Sequence, residues 1–359
     1  MNDLWTWISE SVDHFREGGD RRRFEIASQY FQATQCMSTS PSQALAHLEH
    51  ARSLADRFDE PWWSMLCEHW RSQTFLHRTR NIDAALHVAS DAIATIESDK
   101  RLKAFPQRVC LRDDQVSALQ MIDPDGYANE ISQGCEYIET EGADLEGCQH
   151  CLRGIRIDSL IHEGSLDLAQ ELALSSLKLC VTRQSGHYTS QYYSALCQIA
   201  NLREEWDQLE HWARAGSIFY GTMGSDISNI ELLMWHANAL RRTGKPDAAL
   251  SAYRKARKAQ RTSPFGQPSG FFDALAGYHE ANEDWLLALV ARTMELKNTA
   301  GAPYVECVCR LHRIRLLRLS GQPTDAEVAA IREAAGSLRI PDSILNRLES
   351  LIGPEEANA

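Results

Sequence analysis

The chain of 359 residues is acidic, with 37 Lys and Arg against 49 Asp and Glu, a formal net charge of -12 and a pI near 5.6. This balance argues against a nucleic-acid partner, because affinity for a phosphate backbone requires a basic face. The sequence has no apolar run as long as the ~18 residues of a membrane span or the core of a signal peptide. We therefore expect a cytoplasmic protein that binds no membrane. Ten cysteines at irregular spacing predict free thiols.

Apolar residues recur every three or four positions in segments of about 12 to 18 residues, as amphipathic helices require. Strand patterns are scarce, so an all-α fold is predicted. No long linker divides the chain, which favours one continuous body. The first segment, 1–20, places Leu4, Ile8, Val12 and Phe15 on one side and is predicted to be an N-terminal cap helix.

The segment "RRTGKPDAALSAYRKARKAQ", 241 to 260, contains Gly244 and Lys245, the pair that ends a phosphate-binding loop. Such a loop needs a glycine five positions earlier and a hydroxyl after the lysine. Here Ala239 and Pro246 occupy those positions. The pattern therefore favours a turn between two helices over a nucleotide site.

Small residues repeat through most of the chain. If Ala249 marks one place of a repeating unit, its counterparts lie 38 to 43 residues apart, and the place seven residues later is small in six of eight units. The counterparts are Ala44, Ala85, Ala128, Ala169, Leu209, Ala288 and Ala326. Glycines recur in the intervening turns at Gly164, Gly244 and Gly321.

With these features the sequence resembles the tetratricopeptide repeat, a helix-turn-helix unit with small residues at fixed places. The resemblance implies a right-handed superhelical α-solenoid of about eight repeats over residues 21–336, with a C-terminal capping helix and tail over 337–359. The unit averages about 40 residues, whereas the family's common unit has 34. The first four units also carry bulky residues where the family is small.

Several motifs are candidates for chemistry, and each lacks a necessary part. Cys148 and Cys151 form a C-x-x-C pair, but no second pair with zinc-site spacing follows. "DPDG" at 123 to 126 begins like a calcium loop, although Ser132 stands where the clamping glutamate belongs. Of three tryptophans at 62, 63 and 70, the first two are explained by packing of the second hairpin. We predict no enzyme activity, no metal and no cofactor.

In the family that this chain resembles, the first helices of successive hairpins line a concave groove that holds an extended peptide or a helix. Transferring the family's groove-lining positions onto this sequence predicts a mostly polar surface. Its candidate binding residues are Trp70, His77, Arg78, Asp113, Gln191, Gln198, Asn201, Asn238, Arg241 and Arg242.

Amide side chains both donate and accept hydrogen bonds, which suits a partner held by its main chain. The arginines favour acidic groups on that partner. The sequence therefore predicts a protein-interaction scaffold that binds a peptide or helical segment of another protein. The alternative is a solenoid that senses a ligand or peptide and acts on a separate effector protein.

Overall fold

A computed structural model of the protein describes residues 2–37, 39–143, 146–182, 189–223, 226–262, 270–297, 299 and 301–352. This described part forms helices and contains no β-strand, in agreement with the predicted all-α class. None of its helices is both long enough and apolar enough to cross a bilayer.

The described part contains eighteen α-helices, most of them 14 to 18 residues long. In chain order they are α1 Asn2–Glu17, α2 Arg21–Cys36, α3 Pro41–Arg57, α4 Pro61–Thr74, α5 Ile82–Ser98, α6 Arg108–Ile122, α7 Ala128–Glu141, α8 Glu146–His162, α9 Leu166–Thr182, α10 Thr189–Leu202, α11 Trp206–Met223, α12 Asp226–Arg242, α13 Pro246–Thr262, α14 Phe271–Glu280, α15 Trp285–Leu296, α16 Pro303–Leu319, α17 Asp325–Ala335 and α18 Asp342–Ile352. A π-helical turn, Phe75–Thr79, extends α4, and a 3-10 turn, Lys100–Leu102, follows α5.

The chain divides into two compact units, whereas the sequence pattern favoured one continuous body. Unit 1 comprises Met1–Leu119 and Asn129–Cys148, and unit 2 comprises Gln120–Ala128 and Gln149–Ala359. Within each unit, helices pack mainly against the next helix or the next but one.

Unit 1 has its core on α2, α3 and α4. Tyr30 and Leu48 are fully buried in it. The Trp63 ring lies edge-on to the Tyr30 ring, with centroids 5.8 Å apart, and it makes a similar contact with Phe15 of α1. The packing interpretation of Trp63 is therefore confirmed. Trp62 is largely exposed, and its indole N–H donates to the Arg101 carbonyl at 3.0 Å.

Unit 2 has its largest core around α12. Trp235 and Leu232 pack there with Phe271 of α14, and all three are at most 1% exposed. First helices of neighbouring hairpins contact each other directly, as α12 and α14 do. Leu209, Ala213, Ala249 and Ala256 are fully buried in the same core.

Burial tests the small-residue alignment position by position. Six of the eight aligned residues are completely buried: Ala44, Ala85, Ala169, Leu209, Ala249 and Ala288. Ala128 and Ala326 are exposed. In α7 and α17 the buried face instead contains Ile131 with Ile138, and Val328 with Ile331. The alignment thus has the wrong register in these two helices.

The turn glycines are placed as predicted. Gly164, Gly244 and Gly321 all have φ between +68° and +76°, the left-handed region that glycine adopts without steric conflict. After Gly244, the Lys245 N–H donates to the Leu240 carbonyl at 2.9 Å. The Lys245 ammonium contacts both carboxylate oxygens of Glu210 at 2.8 Å. This pair is therefore a helix-ending turn.

A contact within unit 2 joins residues 216 positions apart. Buried Asp123 accepts three backbone hydrogen bonds, from Gly126 at 2.9 Å, Arg339 at 2.6 Å and Ile340 at 3.2 Å. The Arg339 guanidinium lies 3.7 Å from the centre of the Tyr127 ring. We call this contact between residues 123–127 and 339–343 the clamp.

A second set of hydrogen bonds supports the clamp. The hydroxyl of Ser343 donates to Asp125 at 2.7 Å, and the other oxygen of Asp125 lies 3.1 Å from Nε2 of His162. Nδ1 of His162 lies 2.5 Å from the Tyr304 hydroxyl. The "DPDG" segment is therefore a turn before α7, as the sequence indicates, and it also anchors the C-terminal segment.

We expect Asp123→Ala to loosen the clamp. It leaves three N–H groups without their acceptor, and an unsatisfied buried polar group costs about 1–3 kcal/mol. The free energy of unfolding from urea titrations should fall by about 2–4 kcal/mol, since part of the loss is recovered by water. Hydrogen exchange of the amides of 339 and 340 should become faster.

The matched control is Asp91→Ala, because Asp91 is exposed on α5 and its carboxylate lies 3.3 Å from His87 on the same helix. We expect its stability to change by less than about 0.5 kcal/mol. Unchanged exchange at 339 and 340 in Asp123→Ala would show that the clamp does not hold this segment.

Candidate functional site

The candidate residues of unit 1 lie on α4, on the π-helical turn and on α6. Trp70 is half-buried against the unit 1 core, whereas His77 and Arg78 are exposed. Desolvation by surrounding protein lowers the pKa of His77 to about 4, and the charges of Arg80 and Arg78 lower it further. The charges of two neighbouring arginines thus disfavour protonation of the His77 ring.

The polar groups around the predicted Asp113 belong to a buried cluster. Asp113 is half-buried, and its neighbour Asp114 is completely buried. One oxygen of Asp114 accepts from the Gln73 amide, and Ser72 is a second partner. Burial raises the pKa of Asp114 well above its ordinary 3.8, and the charge of Asp113 raises it further. The sequence analysis missed Asp114, since nothing in the sequence distinguishes it from the adjacent Asp113.

The amide residues of unit 2 bind other parts of the protein. Gln191 donates to the His150 carbonyl at 3.0 Å. Asn201 accepts from the Asn238 amide at 3.5 Å, and Gln198 is half-buried. Three of these side chains therefore lie along α10, but two of them already have partners within the fold.

Asn238 does not lie on an exposed surface, contrary to the groove assignment. Its side chain is completely buried, and a Cβ added at Gly277 would lie only 2.5 Å from its amide nitrogen. The missing side chain at Gly277 thus leaves the space that Asn238 fills between α12 and α14. In this structure its role is in packing.

The arginines at the end of α12 are arranged differently. Arg241 is half-buried, and Arg242 is exposed with its guanidinium 4.7 Å from the centre of the Trp206 ring. Stacking on an indole holds a guanidinium in place and leaves its N–H groups available. Desolvation lowers the pKa of Arg242 and the charge of Arg315 lowers it further, whereas the charges of Glu280 and Glu204 raise it.

Arg242 and Arg315 therefore share one nearby carboxylate. Glu280 at the end of α14 is buried and forms an ion pair with Arg315 of α16. Glu280 thus interacts with both guanidinium groups, and Glu204 is a second acid within electrostatic range of Arg242. We call Arg242, Arg315, Trp206 and Glu280 the arginine site. Glu280 was not identified from the sequence.

The cysteine and histidine motif at 148–151 is built into helix packing. Cys148 is buried, and a hydrogen bond with Cys110 lowers the pKa of its thiol. His150 is completely buried, with Nδ1 2.7 Å from the Tyr192 hydroxyl and 3.8 Å from the Cys180 sulfur. Within the described residues, no group of three His, Cys, Asp or Glu side chains could hold a metal ion.

Comparisons with known proteins give no family assignment. No protein-family model matches the chain, and no curated protein matches it in sequence.

We expect Asp114→Asn to stabilise the protein at neutral pH. In the folded protein the raised pKa favours the neutral acid, which an amide mimics, so ionisation of the buried group opposes folding. Protonated Asp114 contributes fully to the free energy of unfolding below pH 3.8. This contribution is lost as the pH rises through the folded-state pKa. Each unit of difference in pKa corresponds to about 1.4 kcal/mol.

Urea unfolding at pH 4 and at pH 7.5 measures this effect. The stability gap between Asp114→Asn and wild type should widen towards pH 7.5. Asp91→Asn, on the exposed face of α5, is the matched control and should follow the wild-type pH dependence. A gap that is constant or narrows with pH would contradict a buried neutral acid at 114.

Proposed function

We propose that the protein is a cytoplasmic protein-interaction scaffold without enzymatic activity. In this proposal its hairpins form a right-handed solenoid of about eight tetratricopeptide-like repeats, and the first helices bind an acidic peptide or helical segment of a partner protein. Five buried alanines and a buried leucine at aligned places, with turn glycines at positive φ, support the repeat. These features support only the scaffold's architecture, so its binding role is argued from the arginine site.

The observation that carries the proposal is the position of the Arg242 guanidinium in the arginine site. Arg242 is exposed and lies over the Trp206 ring, and the buried acid Glu280 is paired with Arg315. Stacking on an indole holds a guanidinium in place and leaves its N–H groups available to an incoming carboxylate. An acidic side chain or a terminal carboxylate of a partner accepts two charge-assisted hydrogen bonds from such a group.

The amides nearby have a more limited role than the sequence predicts. Gln198 of α10 is half-buried, and we assign it as a candidate donor to a partner backbone. Asn238 is a packing residue, and Gln191 binds the His150 carbonyl. The proposal therefore assigns binding to the arginine site first and to α10 second.

A ligand-sensing solenoid is the second candidate, and the clamp is the observation that favours it. The clamp joins the beginning and the end of unit 2 through a small number of hydrogen bonds. A small anion that binds near the arginine site and changes the packing of α16 would act on the same unit. A metabolite that raises the unfolding temperature by several degrees would favour sensing.

The test is affinity capture from the native host followed by mass spectrometry, with wild type and Arg242→Glu as baits. We expect Arg242→Glu to lose a partner that wild type retains. The matched control is Arg22→Glu, because Arg22 is also exposed and also lies over an aromatic ring, Phe58, at 5.7 Å. Circular dichroism must show equal folding of the three proteins.

Peptides from the captured partner then locate the segment. Fluorescence anisotropy should show at least tenfold weaker binding to Arg242→Glu, since a hydrogen bond to a charged group contributes about 1.5–3 kcal/mol. Binding should weaken with added salt. Equal capture by wild type and Arg242→Glu would overturn the assignment of binding to the arginine site.

A further inference from the structure

Three basic side chains lie close together at the turn between α4 and α5. They are His77 and Arg78 of the π-helical turn and Arg80, which follows it. His77 and Arg78 are exposed, and Arg80 is half-buried. The three groups lie within electrostatic range of one another. We call these three residues the basic cluster.

Among the described residues, no acid neutralises the basic cluster. Neither arginine forms an ion pair with any of them, and no acid contributes to the pKa of Arg78 or Arg80. Asp83, in the first turn of α5, is the nearest acid in the sequence, yet its charge does not act on Arg80. In this the cluster differs from Arg242, which has Glu280 within electrostatic range.

The surrounding protein reduces the hydration of the basic cluster. Desolvation lowers the pKa of Arg78. It is also the main cause of the lowered pKa of Arg80, to which the charge of Arg78 adds. Removing water from a charge is unfavourable unless an opposite charge replaces the water. Two guanidinium groups without an acid in such surroundings therefore favour the binding of an anion.

The backbone places Arg80 where other hairpins of this chain have glycine. Arg80 has φ 55° and ψ 32°, and its N–H donates to the Phe75 carbonyl, which closes the π-helical turn. Gly164 and Gly244 also lie two residues before the second helix of a hairpin, with φ of 76° and 75°. An arginine in this left-handed region carries a steric cost that glycine avoids. Such strained residues, and π-helical turns, are frequent at functional sites.

The donors of the basic cluster fit a phosphate group better than a carboxylate. Each guanidinium presents a fork of N–H groups that pairs of oxygens accept. The His77 ring has at least one N–H to donate in either protonation state. A phosphate monoester carries a charge of about -1.5 to -2 at pH 7 and three acceptor oxygens. It therefore neutralises two arginines at once, whereas a carboxylate has one charge and two oxygens.

We propose that His77, Arg78 and Arg80 bind the phosphate group of a phosphate monoester. The ligand is a small phosphorylated molecule or a phosphorylated side chain of a partner protein, since both present the same group. This site lies in unit 1, whereas the residues of the arginine site lie in unit 2. It therefore goes beyond the function proposed above. One interaction of the protein then depends on phosphorylation of its ligand.

Isothermal titration calorimetry of the full chain with phenyl phosphate, in a buffer without phosphate or sulfate, tests the site. We expect Arg78→Gln and Arg80→Gly each to weaken binding of phenyl phosphate at least about tenfold, because each removes charge-assisted hydrogen bonds. Inorganic phosphate should compete with phenyl phosphate, whereas acetate at the same ionic strength should not. Binding should weaken with added sodium chloride.

Three further measurements separate binding from folding. Arg80→Gly places glycine at a left-handed position, so its unfolding temperature should equal or exceed that of wild type although binding is lost. Glu283→Gly is the matched backbone control, because Glu283 has φ 58°, and it should bind phenyl phosphate like wild type. Arg22→Gln is the matched charge control, because Arg22 is exposed in unit 1 over the Phe58 ring. It should also bind like wild type.

Glycerol phosphate and a capped phosphoserine peptide distinguish the two sources of the phosphate group. Tighter binding of the peptide supports a phosphorylated partner, and equal or tighter binding of glycerol phosphate supports a small molecule.

Three results would overturn the proposal. The first is absence of phenyl phosphate binding to wild type. The second is binding that Arg78→Gln and Arg80→Gly leave unchanged. The third is displacement of phenyl phosphate by acetate as effectively as by inorganic phosphate, which would assign the basic cluster to a carboxylate.

Discussion

The structure depends on close approach between helices at small buried residues. Helices of this length are marginally stable in isolation, so each must bury its apolar face against its neighbours. Ala44, Ala85, Ala169, Ala249 and Ala288 are all completely buried, and they lie about 40 or about 80 residues apart. A larger side chain at any of them would separate the helices and open the core. The repeated small residue is therefore the feature that the hairpin packing cannot lose.

Local features of this packing could be predicted from the sequence. Apolar spacing gives the helices, and Gly164, Gly244 and Gly321 mark turns because positive φ is a local backbone requirement. Whether a side chain is buried depends on neighbouring helices, so burial is predicted less well from the sequence than the turns are. Asn238 carries a polar side chain at a place assigned to the surface, yet the space next to Gly277 buries it. No spacing rule reports the empty volume left by a glycine on another helix.

Charge pairing also escapes sequence reasoning, because it depends on which helices are neighbours. Arg292 and Arg242 are both arginines on amphipathic helices. Arg292 is buried and pairs with Asp273 and Glu295, so its charge is neutralised within the fold. Arg242 stacks on Trp206 and shares Glu280 with Arg315. Only the contacts distinguish an arginine that specifies structure from one that is available to a partner.

The clamp changes how unit 2 should respond to a perturbation. In a stack where helices contact only near neighbours, stability is a sum of local terms, and one end can unfold without the other. Asp123 accepts hydrogen bonds from the backbone of residues 339 and 340. These bonds add to the free energy of unfolding only while both ends are folded. Unfolding of α18 therefore also breaks contacts of the turn before α7. The two ends of unit 2 are thus expected to unfold more cooperatively. A partner that binds α18 is thereby coupled to residues more than 200 positions earlier in the chain, through a contact that no repeat pattern predicts.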